Sequence, residues 1–356
     1  MRINRRAFYG ALQILNKVID HKTQVDALRH VRLDASQGVV RLTATNLSQT
    51  LTTEFSGEGE LSICLPAKTL AASIKPASKA DDGDVRIEVL DENTAVVHVD
   101  GLRLHLATVP LDAFPSPPPD DDLQLLALWP SKPLAESLAH VIPSMGTDPT
   151  RPHLACLALL DSRCASTDGH RLATAGLPTE LPESLLIPTA AAKLLPRLLK
   201  DGDSVVLARS DKALKLRVGP WTLTTKLVES EFPPIDQVIP KYGDDNPRLV
   251  VDAKQLVRAF KRVGTLSNTR GVRVTVNGSI ELSSSDPEVG DASVVVEPTE
   301  NTHEGEDLVL GLNMAYIVDA LATMKGDATL RFGGTLDPVR VEDEDERLSV
   351  VMPMRL

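Results

Sequence analysis

The sequence predicts an α+β fold in which one unit of helix and antiparallel sheet is built three times. Three observations carry that expectation. The same order of elements recurs along the 356 residues: an amphipathic helix, a hairpin, a short helix, then a run of alternating strands. A Gly-Asp turn precedes the closing strand run each time, at Gly83, Gly202 and Gly326, so that successive turns lie 119 and 124 residues apart. Apolar residues make up 42% of the chain but aromatic residues only 3%, which points to several aliphatic cores in a chain long enough for two or three domains.

In chain order, Phe8, Leu12, Leu15 and Ile19 fall at helical spacing and predict a helix over 5–19. Strands over 28–34 and 39–45 turn on Ser36-Gln37-Gly38, and further strands follow to Phe55 and over 61–65. Pro66 opens a short helix over 67–74, which Pro76 ends. Three alternating strands, 85–90, 94–99 and 102–108, close the first unit, and the acidic, proline-rich 115–122 reads as a linker. In the second unit Ser131 caps a helix to Val141, strands cover 154–160 and 163–167, and a helix over 190–199 is expected to kink at Pro196. Strands at 205–208, 213–218 and 221–227 complete it. In the third unit Asp252 caps a helix to Val263, and the hairpin 272–276/280–284 turns on Asn277-Gly278. Strands at 292–297 and 308–310, a helix over 313–324, and strands at 329–332, 339–342 and 348–352 finish the chain. The expected domains are 1–120, 121–246 and 247–356.

Cys64, Cys156 and Cys164 are an odd number without C-x-x-C spacing, which favours buried thiols in a reducing cytoplasm over disulfides or zinc. No stretch reaches the roughly eighteen apolar residues of a membrane span, so a soluble cytoplasmic protein is expected. The formal charge of −11 argues against nucleic acid until its distribution is considered. The segments 1–22, 66–79, 130–145, 188–200, 252–263 and 312–325 together hold 17 Lys and Arg against four acids. Cationic helices in an acidic protein describe a surface that attracts a polyanion from one face only.

The stretch S-T-D-G-H-R-L, Ser166 to Leu172, stands at the centre. Ser166, Asp168 and His170 invite a catalytic triad, but three residues within five positions cannot face one substrate in the required order. No catalytic residue, metal or cofactor is expected. Asp168-Gly169 is a turn, with His170 and Arg171 at its mouth.

Together with the threefold repeat, T-D-G-H-R-L (167–172), V-V-M-P-M-R-L (350–356), K-L-V-E-S-E-F-P (226–233) and L-S-N (266–268) resemble the bacterial sliding clamp, the β subunit of the replicative DNA polymerase, over the full chain. The resemblance implies two copies joined head to tail as a six-domain ring, with helices lining the hole and sheet outside, acting as a non-enzymatic processivity factor in replication. Lys22, Lys68, Lys193 and Arg197 then face double-stranded DNA without reading its sequence. An apolar groove for short linear peptides of polymerase, clamp loader and repair proteins is implied at Leu154, Thr167, Gly169, His170, Arg171, Leu172, Pro233, Val238, Asn313, Tyr316 and Leu336. Val350, Val351, Met352, Pro353, Met354, Arg355 and Leu356 complete it. Leu172, Val238, Val350 and Met352 make an adaptable apolar pocket, and His170 and Arg171 can hydrogen-bond a peptide backbone. Leu104 and Leu106 on one edge strand, with Thr265 and Leu266 from the second copy, are the implied ring seam. The chain departs from the family pattern at Thr269-Arg270-Gly271, Pro338, Thr189-Ala190 and Pro152-His153. A monomeric peptide-binding adaptor without DNA function is the alternative from another class.

Overall fold

A computed structural model of the chain describes residues 1–78, 82–117, 122–211, 213–243, 246–266, 270–303 and 305–355. It divides into two compact units: Met1–Ser131 with Lys193–Leu227, and Lys132–Ala192 with Val228–Leu356. Eight α-helices are described: α1 (Arg5–Leu15), α2 (Ala67–Ser73), α3 (Ser131–Val141), α4 (Thr189–Ala192), α5 (Leu195–Leu198), α6 (Ile235–Val238), α7 (Ala253–Val263) and α8 (Met314–Leu321).

The repeat read from the turns has a physical counterpart. The N–H of the first residue of α1, α3 and α7 each donates to the turn ahead of a strand: Arg5 to Gly83 O (2.8 Å), Ser131 to Asp203 O (2.9 Å) and Ala253 to Gly326 O (3.0 Å). In each case the strand leading into the helix pairs antiparallel with the strand leaving the turn, at Asn4↔Asp84, Pro130↔Ser204 and Asp252↔Asp327. One latch is thus made three times, satisfying a helix N–H that has no partner within its own helix. The turn is tight at Gly202, where a Cβ would stand 2.6 Å from the Gly219 nitrogen. Side chains cap three of the helices: Asn4 Oδ1 accepts from Ala7 N–H on α1, Asp252 Oδ1 from Gln255 N–H on α7 and Asn313 Oδ1 from Ala315 N–H on α8.

The first unit holds a twelve-stranded antiparallel sheet that runs from the edge strand Leu102–Ala107 to the edge strand Gln124–Pro130. Gln49–Glu58 belongs to the first repeat and Trp221–Thr225 to the second, and they pair directly from Thr53↔Trp221 to Gln49↔Thr225. The second unit has the same kind of join. Arg171–Gly176 of the central repeat pairs with Leu348–Val351 of the last, in the register Arg171↔Val351, Leu172↔Val350. That join lies inside a nine-stranded sheet, and a separate four-stranded sheet has Gly290–Val296 at one edge. Phe260, Leu256, Ile317 and Phe332 are buried in the core of the last repeat.

Several expectations need correction. The first helix ends at Leu15, not Ile19, because a turn begins at Asn16. The helix expected over 190–199 is two short ones, α4 and α5: Pro196 has no N–H to donate to the carbonyl four residues back, so the helix is interrupted before it. Strands at Arg2–Asn4, Gln124–Pro130, Arg171–Gly176 and Arg248–Asp252, and the helix α6, were not anticipated. Arg171–Gly176 reads R-L-A-T-A-G and Leu172, Ala173, Thr174 and Ala175 are all buried; a strand covered on both faces carries no alternation to detect. Part of the expected linker, 118–121, and Lys79, Asn268, Thr269 and Leu356 lie outside the described residues.

Candidate functional site

The residues expected to line a groove all fall in the second unit, several of them at the Arg171–Gly176/Leu348–Val351 join. Leu172 and Val350, opposite one another in the ladder, pack with Ala165 and Ile235 in a small buried cluster, bordered by Leu160, Phe232, Ile239 and Leu348. Leu172 and Val350 are expected, with Val238 and Met352, to make an adaptable apolar pocket. Both are only 2% exposed, so they form its floor. The apolar surface above is offered by Val238 (48% exposed) and Met352 (40%), while Pro233 is half-buried. Val351 points into the core of the last repeat.

Helix α6 carries Val238 and is held from both sides. Ile235 sits in the buried cluster, and Asp236 Oδ2 accepts from Arg163 Nη2 at 2.6 Å, which holds the Asp236 carboxyl below its usual range. The end of the chain is also tethered. Met352 N–H donates to His170 O (2.9 Å) and Met354 N–H to Gly311 O (2.8 Å), so the tail is docked as far as the description reaches. Pro353 and Met354 are half-buried and Arg355 is exposed. Leu336 is 71% exposed on its turn, and no described contact ties it to the buried cluster.

The central motif folds as a self-braced turn. Gly169 has φ +92°, a region that disfavours any side chain, and a Cβ there would stand 4.0 Å from Leu154 Cδ1. Thr167 Oγ1 donates to Arg171 O (2.7 Å) and accepts from Gly169 N–H (3.1 Å). Asp168 Oδ1 accepts from the N–H of His170 (2.9 Å) and of Arg171 (3.1 Å). The Ser166 hydroxyl is fully buried and donates to Val141 O, so Ser166, Asp168 and His170 form no nucleophile–base pair. His170 itself is exposed. Arg171, expected to meet a peptide backbone, spends three N–H groups on the protein: Nε on Asp168 Oδ2 (3.0 Å), Nη1 on Asp319 Oδ2 (2.7 Å) and Nη2 on Pro143 O. Its guanidinium carbon also lies 4.4 Å from the centroid of the Tyr316 ring. Asn313 Oδ1 accepts from Ala315 N–H at the start of α8.

The four residues expected to face DNA, Lys22, Lys68, Lys193 and Arg197, all belong to the first unit. All are exposed, and none makes an ion pair among the described residues. A cleft of ≈ 710 Å³ between α1 and α5 adds Arg6 and Lys200, which were not singled out. In the second unit α7 exposes Lys254, Arg258 and Arg262 at four-residue spacing, opposite buried Leu256, Ala259 and Phe260. The four-residue spacing of Lys254, Arg258 and Arg262 is itself a sequence signal for this exposed face. Not every helix cation is available. Arg5 is 5% exposed and bonds Ile74 O (2.9 Å), Lys75 O (2.7 Å) and Asp100, and Lys325 pairs with Glu136 at 2.7 Å.

At the implied seam, Leu104 is half-buried and Leu106 only 5% exposed, on the edge strand of the first unit. Leu106 therefore serves its own core more than an outer contact. Thr265 is exposed and Leu266 half-buried on the turn after α7. Val289 (67%) and Val295 (54%) stand exposed along the edge formed by Gly290–Val296, a signal the sequence reading did not use.

Repeated helix-and-sheet domains with exposed cationic helices, and exposed apolar side chains beside a buried sheet join, fit a clamp-type accessory protein of nucleic-acid metabolism. No group of three metal-ligating side chains occurs among the described residues. Three family models match in tandem: the N-terminal domain of the DNA polymerase III beta subunit over residues 1–118, its central domain over 129–234 and its C-terminal domain over 236–355. A beta sliding clamp of Pseudomonas aeruginosa is 29% identical over 376 residues, covering 99% of each chain. One of Caulobacter vibrioides is 27% identical over the full length of both. The crystal structure of the DNA polymerase III subunit beta from Pseudomonas aeruginosa matches with a TM-score of 0.85 at 27% identity, covering 100% of this chain and 99% of that one. The chain belongs to the DNA polymerase III beta subunit family. It is a processivity clamp for a DNA polymerase and an accessory subunit without catalytic activity of its own.

Proposed function

We propose that two copies of this chain close head to tail into a ring around duplex DNA, with three domains per copy at 1–120, 121–246 and 247–356. The observation that carries the reading is the exposed set Lys22, Lys68, Lys193 and Arg197 of an otherwise acidic chain, none in an ion pair among the described residues: Lys68 on α2, Arg197 on α5, Lys193 between α4 and α5, and Lys22 on a turn after α1. Lys200, Lys254, Arg258 and Arg262 extend the set, whereas Arg6 beside Lys200 pairs with Asp82 at 3.0 Å. Phosphate contacts of this kind hold a duplex without reading it, which a sliding protein requires. The open edges Leu102–Ala107 and Gly290–Val296 support a seam in which each pairs with the other copy's edge, with Leu104, Thr265 and Leu266 alongside.

The channel over Leu172 and Val350, bounded by Val238, Met352, Tyr316 and the tail, receives short linear peptides. Polymerase, clamp loader and repair proteins are the expected owners of those peptides, in the cytoplasm at replication forks. The deciding experiment loads the clamp on nicked circular DNA and then linearises it. The complex survives on the circle and is lost on the linear form. Equal retention on both would end the topological reading. A sedimentation mass of one chain would favour the adaptor alternative, because a monomer closes no ring.

A further inference from the structure

The groove wall on α8 is not held by α8 alone. Tyr316 and Asp319 lie three residues apart, on one face of the helix. Between them stands the Arg171 guanidinium, 12% exposed, with its carbon 4.4 Å from the Tyr316 ring centroid and Nη1 2.7 Å from Asp319 Oδ2. Asp168 Oδ2 and Pro143 O hold the same guanidinium from the side of the central motif. Arg has five N–H donors in one rigid plane, so fixing three of them fixes the plane, and the ring stacked on it loses its freedom too. Asp168 already spends its second oxygen on two backbone N–H groups of the turn, so it is locked to the motif. The Asp319 carboxylate makes no other hydrogen bond among the described residues; its single bond is the link from the plane to α8.

We infer that Asp319 is a positioning residue for peptide capture: through Arg171 it sets the plane against which the Tyr316 ring stands as a wall of the groove, without touching the peptide. The inference rests on the groove reading given above. An ordered aromatic wall lowers the entropy lost when a peptide docks, so its effect falls on residence time more than on encounter.

The probe is a fluorescein-labelled peptide from the catalytic subunit of the same organism's replicative polymerase, chosen as the tightest of an overlapping set on the intact dimer. Asp319→Asn, which keeps shape and loses charge, weakens it about fivefold, mainly through faster release, and Asp319→Glu returns affinity to within about twofold of wild type. In a Tyr316→Ala background Asp319→Asn adds no further loss, because the element it positions is gone. An independent readout needs no peptide: with 3-fluorotyrosine incorporated, the Tyr316 resonance moves or broadens in Asp319→Asn while those of Tyr9 and Tyr242 stay. Wild-type affinity in Asp319→Asn, or the same loss with and without Tyr316, overturns the inference. If removal of residues 354–356 leaves peptide affinity intact, the groove reading itself fails, and the fluorine spectrum still reports on the Asp319–Arg171–Tyr316 link.

Discussion

His140 shows how much a single buried side chain contributes without touching a ligand. It is 1% exposed on α3, with Nδ1 2.7 Å from Thr323 Oγ1 and Nε2 3.3 Å from Leu348 O. Burial, helped by the nearby Arg347 charge, pushes its pKa down from 6.5 to about 4. The unfolded chain therefore takes up a proton below pH 6.5 that the folded chain refuses until about pH 4. Stability from this group is complete above 6.5 and drains as the pH falls between those values, by on the order of 2 kcal/mol at pH 4.5. Urea titrations at pH 7 and 4.5 check it: a His140→Gln variant should lose less stability over that span than wild type. The cysteines make a second prediction at this scale. Burial pushes Cys64 and Cys156 up to about 11 and Cys164 to about 12, so none is a thiolate at neutral pH. Iodoacetamide should label them only in denaturant.

At the scale of elements, side-chain caps and backbone latches divide the labour. Asp252 donates nothing to the latch, which uses Ala253 N–H, but it caps α7 through Gln255. Asp252→Ala should lower stability by about 1 kcal/mol and leave the dimer mass unchanged, measured by denaturant unfolding beside sedimentation. Gly202→Ala should cost more, about 1–3 kcal/mol, because its Cβ meets backbone that cannot swing aside. Elements were legible where the sequence repeats a local rule: α7 from its cap and apolar spacing, the 271–276/280–286 hairpin from Asn-Gly. They were hidden where burial is two-sided or the element is short, as with Arg171–Gly176 and the four-residue α6. Resemblance names the residues proposed for the groove, but it does not tell that Leu172 and Val350 are buried. Whether Leu172 and Val350 face out or in depends on Ile235, about sixty residues from one and over a hundred from the other, and no spacing in the sequence encodes that.

For the molecule as a whole, charge placement decides behaviour. Arg197→Glu with Lys200→Glu should weaken binding to open duplex and flatten its salt dependence, by roughly one unit of log–log slope for each phosphate no longer neutralised, read from titrations between low and moderate salt. Retention on a closed circle should change far less, since escape there needs the ring to open. One last consequence follows from the ladder that joins Arg171–Thr174 to Leu348–Val351. The two strands lie about 180 residues apart in the chain, so Arg171–Gly176, which pairs on its other side with Arg163–Thr167, gains this second neighbour only when the ribosome has finished Leu348–Val351. On the proposed groove, a nascent chain should therefore capture no peptide until translation has passed Val351, and unfinished copies should not compete with mature ones.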